Sequence, residues 1–253
     1  MPFIIKPNAN LSNGEVAEIQ AHLLSYWKGN DHEYVLRKRQ LEPTLDSVLH
    51  KVDGKIIGSL MMARHELDNP FFDNRLVVTF SLAVKQKGYK GNLIWKLGPI
   101  WAKRHFGRFW FLKSVVGAST IGSPRVYESF CQLFPEVYPS LGAIERPEVI
   151  EFQKRYMREV RGQAFAFDAH GVVVNLNYQD IDVTDDWDRV FKAKNPKVND
   201  FFFETGIFER RGDRIIRTDR ELVCCGVRSL KHVFGYKTRP ETLEMPEVPS
   251  VTL

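Results

Sequence analysis

The strongest constraint on the fold is a nearly unbroken apolar run, RLVVTFSLAV, that covers residues 75–84. A strand that is apolar on both faces is typical of the centre of a sheet with helices on both sides. The run ends in the turn KQKGYKG, and a helical pattern with Leu93, Leu97 and Trp101 on one side follows directly. The sequence therefore predicts a central strand, a basic glycine-containing turn and a helix that reaches about Arg104.

The segments around this unit alternate between strand and helix patterns. FIIKP predicts a short first strand, and a helix begins at Ser12, whose spacing to Glu15 is that of a capping box. Two strands surround the two-residue turn Asp53-Gly54, which is a strong hairpin signal. RFWFLKSVVGAS predicts a further strand, and a helix follows with Ser123 as its N-cap. This order predicts an α/β (α+β) fold with helices on both faces of one sheet.

The last part of the chain contains both helix and strand patterns. PEVIEFQKRYMREV predicts a helix and QAFAFDAHGVVVNL predicts two strands, while TDRELVCCGVRSLKHVF predicts a helix because Thr218 and Glu221 have capping-box spacing. We expect a core over residues 1–140, an α/β extension over residues 141–238 and a disordered tail over residues 239–253, which contain three prolines. Alternatively, the late strands complete the first sheet.

Charge is distributed unevenly along the chain. Residues 74–127 contain ten lysines and arginines and no aspartate or glutamate, although the net charge of the whole chain is only +5. A segregated positive field favours an anionic ligand or an acidic partner, such as an acidic carrier protein. The alternative is a solvated basic surface without a specific ligand.

The turn between the central strand and its helix has the composition of a phosphate-binding site. The first amides of a helix are unpaired and lie at its positive end. Glycine at positions 88 and 91 lets an anion approach the backbone, and Lys85, Lys87 and Lys90 supply charge. The final Lys-Ser/Thr of a Walker A loop is absent. An ordinary basic turn remains the alternative.

Residues 3–135 resemble the core of the GCN5-related N-acetyltransferase (GNAT) superfamily. Leu82-Ala83-Val84 match the end of its fourth strand, and Tyr89-Lys90-Gly91 match the Tyr-Arg-Gly step of the following loop. Ser123-Pro124-Arg125 is similar to the start of the helix after the next strand. Where the family usually has two more small residues, this chain has leucine and tryptophan at positions 93 and 95.

The resemblance implies a central mixed sheet, mostly antiparallel, whose central strand splays from its neighbour and leaves a V-shaped slot. The slot would hold the pantetheine arm of acetyl-CoA or a longer acyl-CoA, and an amine acceptor would attack the thioester directly. The extension over residues 141–238 would shape the acceptor site. The residues implied in donor binding are Leu82, Val84, Lys85, Gln86, Lys87, Gly88, Tyr89, Lys90, Gly91, Asn92 and Ser123.

The resemblance also implies a general acid and a general base. The family often has a tyrosine as the acid that protonates the leaving thiolate; that offset lands on Phe130, and Tyr127 lies one turn earlier. The attacking ammonium must first lose a proton. Candidates for the base are His65, Glu66 and Asp68, and Glu66 is favoured because a carboxylate also recognises a cation.

Two other functions are compatible with the residues. A GNAT-like domain without catalytic activity would explain the replaced loop glycines and the shifted tyrosine. A nucleic-acid-binding surface would use the basic window with its aromatic residues, although the spacing of Trp101 is typical of the core. We regard nucleic-acid binding as the weaker alternative.

Several classes of site and location are not indicated by the sequence. No apolar run approaches the roughly 20 residues needed to span a bilayer, and the first residues lack the pattern of a signal peptide. Three cysteines and seven histidines have no metal-ligand spacing, so no metal is expected. We expect a cytoplasmic protein.

Overall fold

The computed structural model describes residues 3–27, 32–73, 75–141, 146–160, 162, 166–167, 172–174 and 180–228. The strands are β1 (Phe3–Pro7), β2 (Asp46–Val52), β3 (Lys55–His65), β4 (Leu76–Lys85), β5 (Val115–Ile121), β6 (Glu136–Tyr138), β7 (Ala166–Phe167), β8 (Val172–Val174), β9 (Ile181–Asp182), β10 (Phe208–Arg211), β11 (Arg214–Arg217) and β12 (Glu221–Arg228). The helices are α1 (Asn13–Tyr26), α2 (Tyr34–Leu41), α3 (Leu93–Phe106), α4 (Pro124–Leu133), α5 (Pro147–Val160) and α6 (Pro196–Glu204).

One large mixed sheet organises the chain. Its strand order in the described residues is β1-β2-β3-β4-β5-β12-β8-β7, and β6 also pairs with β12. Among these pairs only β4 and β5 run parallel. A smaller sheet contains β10, β11 and β9. The prediction of a mixed, mostly antiparallel central sheet is therefore confirmed.

The predicted helix over TDRELVCCGVRSLKHVF is wrong, because Glu221–Arg228 form strand β12. The residues from Leu222 to Val227 are all buried between helices on both faces of the sheet, so the run carries no alternation that would identify a strand. Thr218 does not cap a helix; its hydroxyl donates to the carbonyl of Gly206 at 2.8 Å. β12 pairs with β5, so this late strand lies in the same sheet as the first 140 residues.

Most other local predictions agree with the structure. α1 begins with the predicted capping box of Ser12 and Glu15, and the Asp53-Gly54 turn joins β2 to β3. The strand predicted from Arg108 begins only at Val115, because residues 110–112 form a 3-10 turn. α2 was not predicted. The tail over residues 239–253 and the turn between β7 and β8 lie outside the described residues.

Helices cover both faces of the sheet, as predicted. On one face α1 packs on β2 and β3, where Ile19 clusters with Met61. α5 packs on the same face over β5 and β12, where Phe152 clusters with Val116. The other face carries α3 and α4, and α6 packs on α4. The core therefore lies in two layers, one on each side of the sheet.

A β-bulge at Ser81 changes the direction of the side chains on β4. Met61 pairs with Leu82 and the next residue, Met62, pairs with Phe80, so Ser81 is an extra residue. Side chains two residues apart share a face in a regular strand. Here Phe80 packs towards α3, whereas Leu82 packs towards α1. The bulge thus turns the second half of β4 at the place where its pairing with β5 ends.

Candidate functional site

β4 and β5 form a fork. Their parallel pairing runs from Leu76 with Val115 to Thr79 with Ala118 and then ends. At the closed end of the fork, the hydroxyl of Ser119 donates to the carbonyl oxygen of Phe80 at 2.7 Å. Beyond this bond the two strands diverge, so the second half of β4 has an open edge on the β5 side.

A cavity of about 490 Å³ occupies the fork. β4 lines it from Phe80 to Lys85, and β5 with the following residues lines it from Ser119 to Ser123. α1 contributes Tyr26 and, just beyond the helix end, Trp27 is also part of the wall. Part of the chain after residue 185 completes the lining, with Phe191 and Glu221 among its residues. The cavity therefore contacts both halves of the described chain.

The turn after β4 has the conformation that its glycines allow. Gly88 and Gly91 have φ values of 88° and 102°. Residues with a side chain rarely adopt such positive φ values, whereas glycine adopts them readily. A Cβ atom at either glycine would meet nothing within 4 Å, so the backbone is open on that side. The ammonium of Lys85 donates to the carbonyl of Gly91 at 3.3 Å and spans the turn. Lys87 and Lys90 are exposed.

The first turn of α3 is partly capped by the protein itself. The side-chain oxygen of Asn92 accepts from the backbone N–H of Ile94 at 2.9 Å. A ligand at this helix N-terminus would therefore use the remaining amides of the first turn and the lysines around it. The site combines partial positive charge from the helix with full charges on exposed side chains.

Tyr89 connects the turn to the sheet. Its hydroxyl lies 3.2 Å from Nδ1 of His50 on β2, and the ammonium of Lys96 lies 5.1 Å from its ring centroid. Burial, with a smaller contribution from Lys96, lowers the pKa of His50 below its usual 6.5. A neutral His50 can therefore hold the turn against β2 without adding a further charge.

The bulge residue Ser81 belongs to a charged cluster at the cavity wall. The ammonium of Lys38 donates to the Ser81 hydroxyl at 2.7 Å and to both carboxylate oxygens of Glu42 at 3.0 and 2.9 Å. Ser81 Oγ also lies 3.1 Å from Glu42 Oε2, to which it donates. Lys38 is 6% exposed, so this ion pair is largely removed from water.

A second buried ion pair lies where β11 meets the cavity. Nη2 of Arg217 donates to Glu221 Oε1 at 2.8 Å, and its guanidinium carbon lies 4.5 Å from the centroid of the Trp27 ring. A Cβ at Gly122 would come within 2.3 Å of this guanidinium, so glycine is needed there for close approach. The indole N–H of Trp27 is buried and has no hydrogen-bond acceptor among the described residues, which suits a polar group of a ligand or water.

Five of the residues predicted to bind the donor line this cavity, namely Leu82, Val84, Lys85, Tyr89 and Ser123. The other six, Gln86, Lys87, Gly88, Lys90, Gly91 and Asn92, form the exposed turn beside it. Ser123 occupies the N-cap position of α4 without a side-chain capping bond. Its hydroxyl donates instead to the carbonyl of Phe191 at 3.4 Å. The strand, the turn and Ser123 are thus brought together.

Tyr127 is not among the residues that line the cavity. It is 1% exposed, its ring packs against Phe201 and Phe202, and its hydroxyl donates to the carbonyl of Pro139 at 2.7 Å. Tyr127 was a candidate general acid because of its position along the sequence after Ser123. That position does not reveal that α6 packs over the Tyr127 ring. In the structure the hydroxyl of Tyr127 holds the segment after β6.

Glu66 also lies apart from the cavity lining. It follows the end of β3, where His65 pairs with Val77 on the paired side of the fork, and its side chain is exposed. Asp68 forms an exposed ion pair with Arg155 at 2.8 Å. The pairing of β3 with β4 decides which end of β3 faces the fork, and that register is not visible in the sequence.

The residues that sequence reasoning missed come from segments distant along the chain. Lys38 lies on α2, which was not predicted, and Glu42 directly follows that helix. Glu221 lies in the segment that was predicted to be helical, and Arg217 at the end of β11 lies just before that segment. Nothing in their spacing pointed to the cavity, because only the sheet order brings them to the fork.

The aromatic residues of the basic window are distributed between core and surface. Trp101 is 1% exposed, and its indole N–H donates to Asp46 at 2.8 Å. Trp95 is 49% exposed and lies near the turn. The described residues contain no helix that is long and apolar enough to cross a membrane.

Comparisons with known proteins give matches at the level of structure. No family model and no curated protein sequence matches the chain. Ribosomal-protein-alanine N-acetyltransferase from Brucella melitensis biovar Abortus 2308 superposes with a TM-score of 0.33 at 16% identity, covering 44% of this chain and 75% of that one. Escherichia coli ElaA gives 0.36 at 12% identity, with 57% and 92% coverage.

An acyl-CoA N-acyltransferase from Pseudomonas aeruginosa gives a TM-score of 0.33 at 13% identity, covering 51% of this chain and 84% of that one. The likeness in fold is carried by features of this chain. Those features are the strand order, the parallel pair β4–β5 that opens into a fork, and the basic turn before α3. The core thus has the fold features that its resemblance to the GCN5-related N-acetyltransferases implies.

Proposed function

We propose that the protein is an acyltransferase that moves an acyl group from a CoA thioester to an amine by direct attack. The observation that carries the proposal is the fork between β4 and β5, with a 490 Å³ cavity inside it and a basic glycine turn at its side. An extended chain with amide groups can pair with the open edge of β4, while its phosphates meet the turn and the N-terminus of α3.

The residues of the turn fit a pyrophosphate. The open space at Gly88 and Gly91 lets an anion approach the backbone, and the exposed ammonium groups of Lys87 and Lys90 supply charge. The pantetheine arm would lie along Leu82 and Val84 on the open edge of β4. This arrangement puts the thioester near Phe80 and Ser81, at the closed end of the fork.

The acceptor amine needs a group that removes its proton, and we assign this role to Ser81 with Glu42. The Ser81 hydroxyl accepts from Lys38 and donates to Glu42, which leaves one of its two lone pairs for the ammonium of the acceptor. As the ammonium proton moves to Ser81 Oγ, the hydroxyl proton of Ser81 moves to the Glu42 carboxylate. The neutral amine then attacks the thioester carbonyl, the C–S bond breaks, and the departing CoA thiolate takes the surplus proton of the nitrogen, which leaves an amide and CoA as the free thiol.

The first test of the proposal is calorimetric titration of the purified protein with CoA and with acetyl-CoA. We expect both to bind, and we expect Lys87→Ala and Lys90→Ala each to weaken binding several-fold, because each removes a charge from the turn. Lys154→Ala is the matched control, since Lys154 is an exposed lysine on α5, on the opposite face of the sheet from α3. Absence of CoA binding by the wild-type protein would contradict the proposal and leave a domain without this chemistry.

A further inference from the structure

A second, apolar cavity of about 90 Å³ lies under α3. Its wall is made largely of hydrocarbon and aromatic groups, including Met62, Val78, Trp101 and Val115 from the sheet and the helix. Polar contributions to the wall come from Lys113 and Arg228, and the Arg228 guanidinium lies 5.4 Å from the ring centroid of Trp110. A cavity with this lining favours an apolar occupant over water.

This apolar cavity adjoins the cavity in the fork. Phe80 and Ile94 line both, so the two spaces are separated by those two side chains. Phe80 is also the residue whose carbonyl receives the Ser119 hydrogen bond at the closed end of the fork. The partition is therefore next to the place that the proposed donor thioester would occupy.

A buried glycine in α3 borders the apolar cavity. Gly98 lies in the middle of α3, where glycine lowers stability by roughly 0.5–1 kcal/mol relative to alanine. A Cβ atom at Gly98 would meet nothing within 4 Å, although the residue is buried, because the space beside it is the cavity. Pro99 follows and removes a helical hydrogen bond. Glycine and proline both destabilise the interior of a helix, so packing alone does not explain Gly98 and Pro99. Together they leave space beside α3.

Phe134, in the opposite wall of the apolar cavity, is held by close packing. Gly117 of β5 and Gly226 of β12 are paired directly, and a Cβ at either would come within 2.5 Å of Phe134. Phe134 therefore lies flat on two strands where no side chain intervenes. Because Phe134 is held in this way, it cannot easily move to fill the cavity.

We infer that the apolar cavity receives the acyl chain of the donor, so that the protein prefers acyl-CoA esters longer than acetyl-CoA. This inference rests on the proposed function. A volume of 90 Å³ holds about three groups the size of a methylene or a water, at about 30 Å³ each. A chain of about four to six carbons would pass Phe80 and fill the space beside Gly98.

The test compares binding of CoA, acetyl-CoA, butanoyl-CoA, hexanoyl-CoA and decanoyl-CoA by calorimetric titration. Burying one methylene strengthens binding about fourfold. We therefore expect affinity for wild type to rise about fourfold per methylene beyond acetyl and to level off near hexanoyl. Gly98→Leu should abolish this rise while leaving the affinities for CoA and acetyl-CoA unchanged. Gly98→Ala adds one methyl and an excellent helix former, and should shift the plateau towards shorter chains.

The outcomes separate the two proposals. If CoA and every ester bind equally, the proposed function stands and the acyl cavity is refuted. If affinity rises with chain length equally in wild type and Gly98→Leu, the chain binds elsewhere and the inference is also refuted. If CoA itself does not bind, both proposals fail. Thermal melting of each variant without ligand shows whether Gly98→Leu is folded, and Gly98→Ala retains the test if it is not.

Discussion

The side chain of Ser119 donates to the main chain of Phe80 at the point where β4 and β5 cease to pair, so a hydroxyl continues the ladder for one more bond. Ser119→Ala removes this bond and should lower the free energy of unfolding by about 1 kcal/mol. Ser129→Ala is the control, because Ser129 donates to a helix carbonyl on an exposed surface, and its loss should change stability by less than about 0.5 kcal/mol. Urea unfolding measures both. Equal effects would mean that the Ser119 bond does not hold the fork.

Tyr127→Phe should act on stability. The change removes a buried 2.7 Å hydrogen bond and leaves the carbonyl of Pro139 without this donor, at a cost of about 1–3 kcal/mol. The affinity for acetyl-CoA should be unchanged, because the hydroxyl does not line the cavity. Chemical unfolding and calorimetric titration of the same preparation test this. Unchanged stability with a large fall in turnover would instead support the general-acid role suggested by the family resemblance.

Arg217→Met should be among the most damaging single changes near the cavity. It leaves the partly buried Glu221 without its partner; breaking a fully buried ion pair costs about 3–5 kcal/mol, and the partial exposure of Glu221 should place the loss towards the lower end. The double variant Arg217→Met with Glu221→Gln removes both charges and should recover most of the loss. Unfolding measurements on the single and double variants form the test. If the double variant is as unstable as the single one, the packing of Arg217 on Trp27 matters more than the charge.

Stability should depend on pH through His65. Burial lowers the pKa of His65 below its usual 6.5, and nearby Glu42 opposes this only in part. The unfolded chain therefore binds a proton at this residue more readily than the folded chain does. The resulting stability is present above about pH 6.5 and is lost as the pH falls towards the lowered pKa.

The His65→Asn variant tests this dependence. It should show a smaller decrease in the free energy of unfolding between pH 7 and pH 5 (about the usual titration range of histidine), whereas His32→Asn, at an exposed histidine, should follow wild type. Part of the decrease should remain because the pKa of His50 is lowered as well. Identical pH profiles for wild type and His65→Asn would refute the assignment to His65.

The sequence predicted the strand, turn and helix around Gly88 and Gly91 because those signals are local: an apolar run, glycines and a helical stripe lie within about 30 residues. It also predicted α1, the hairpin and α5. The bulge at Ser81 could not be predicted, because an extra residue exists only relative to the register of β3. The same bulge decides which side chains of β4 face the cavity.

Parts of the candidate site depended on long-range pairing that the sequence does not display. The sequence favours Glu66 as the base because a carboxylate also recognises a cation, but the register of β3 with β4 makes Ser81 a bulge residue, and the Ser81 hydroxyl contacts Glu42. The capping-box spacing of Thr218 and Glu221 predicts a helix where β12 lies, and burial on both faces of the sheet removes the alternation that would identify a strand. Local patterns therefore gave the elements, and tertiary contacts determined which of their residues meet.

The position of β12 also has a consequence for how the chain folds during synthesis. β12 lies in the middle of the sheet order, next to β5, yet it pairs Leu222 with Ile121 roughly a hundred positions earlier in the chain. Until the ribosome has made Arg228, the edge of β5 that pairs with β12 is unpaired. An unpaired strand edge can form backbone hydrogen bonds with another chain and so promote aggregation. Such distant pairing makes folding slow. We therefore expect the β5 edge of a nascent chain to need protection until β12 has been synthesised.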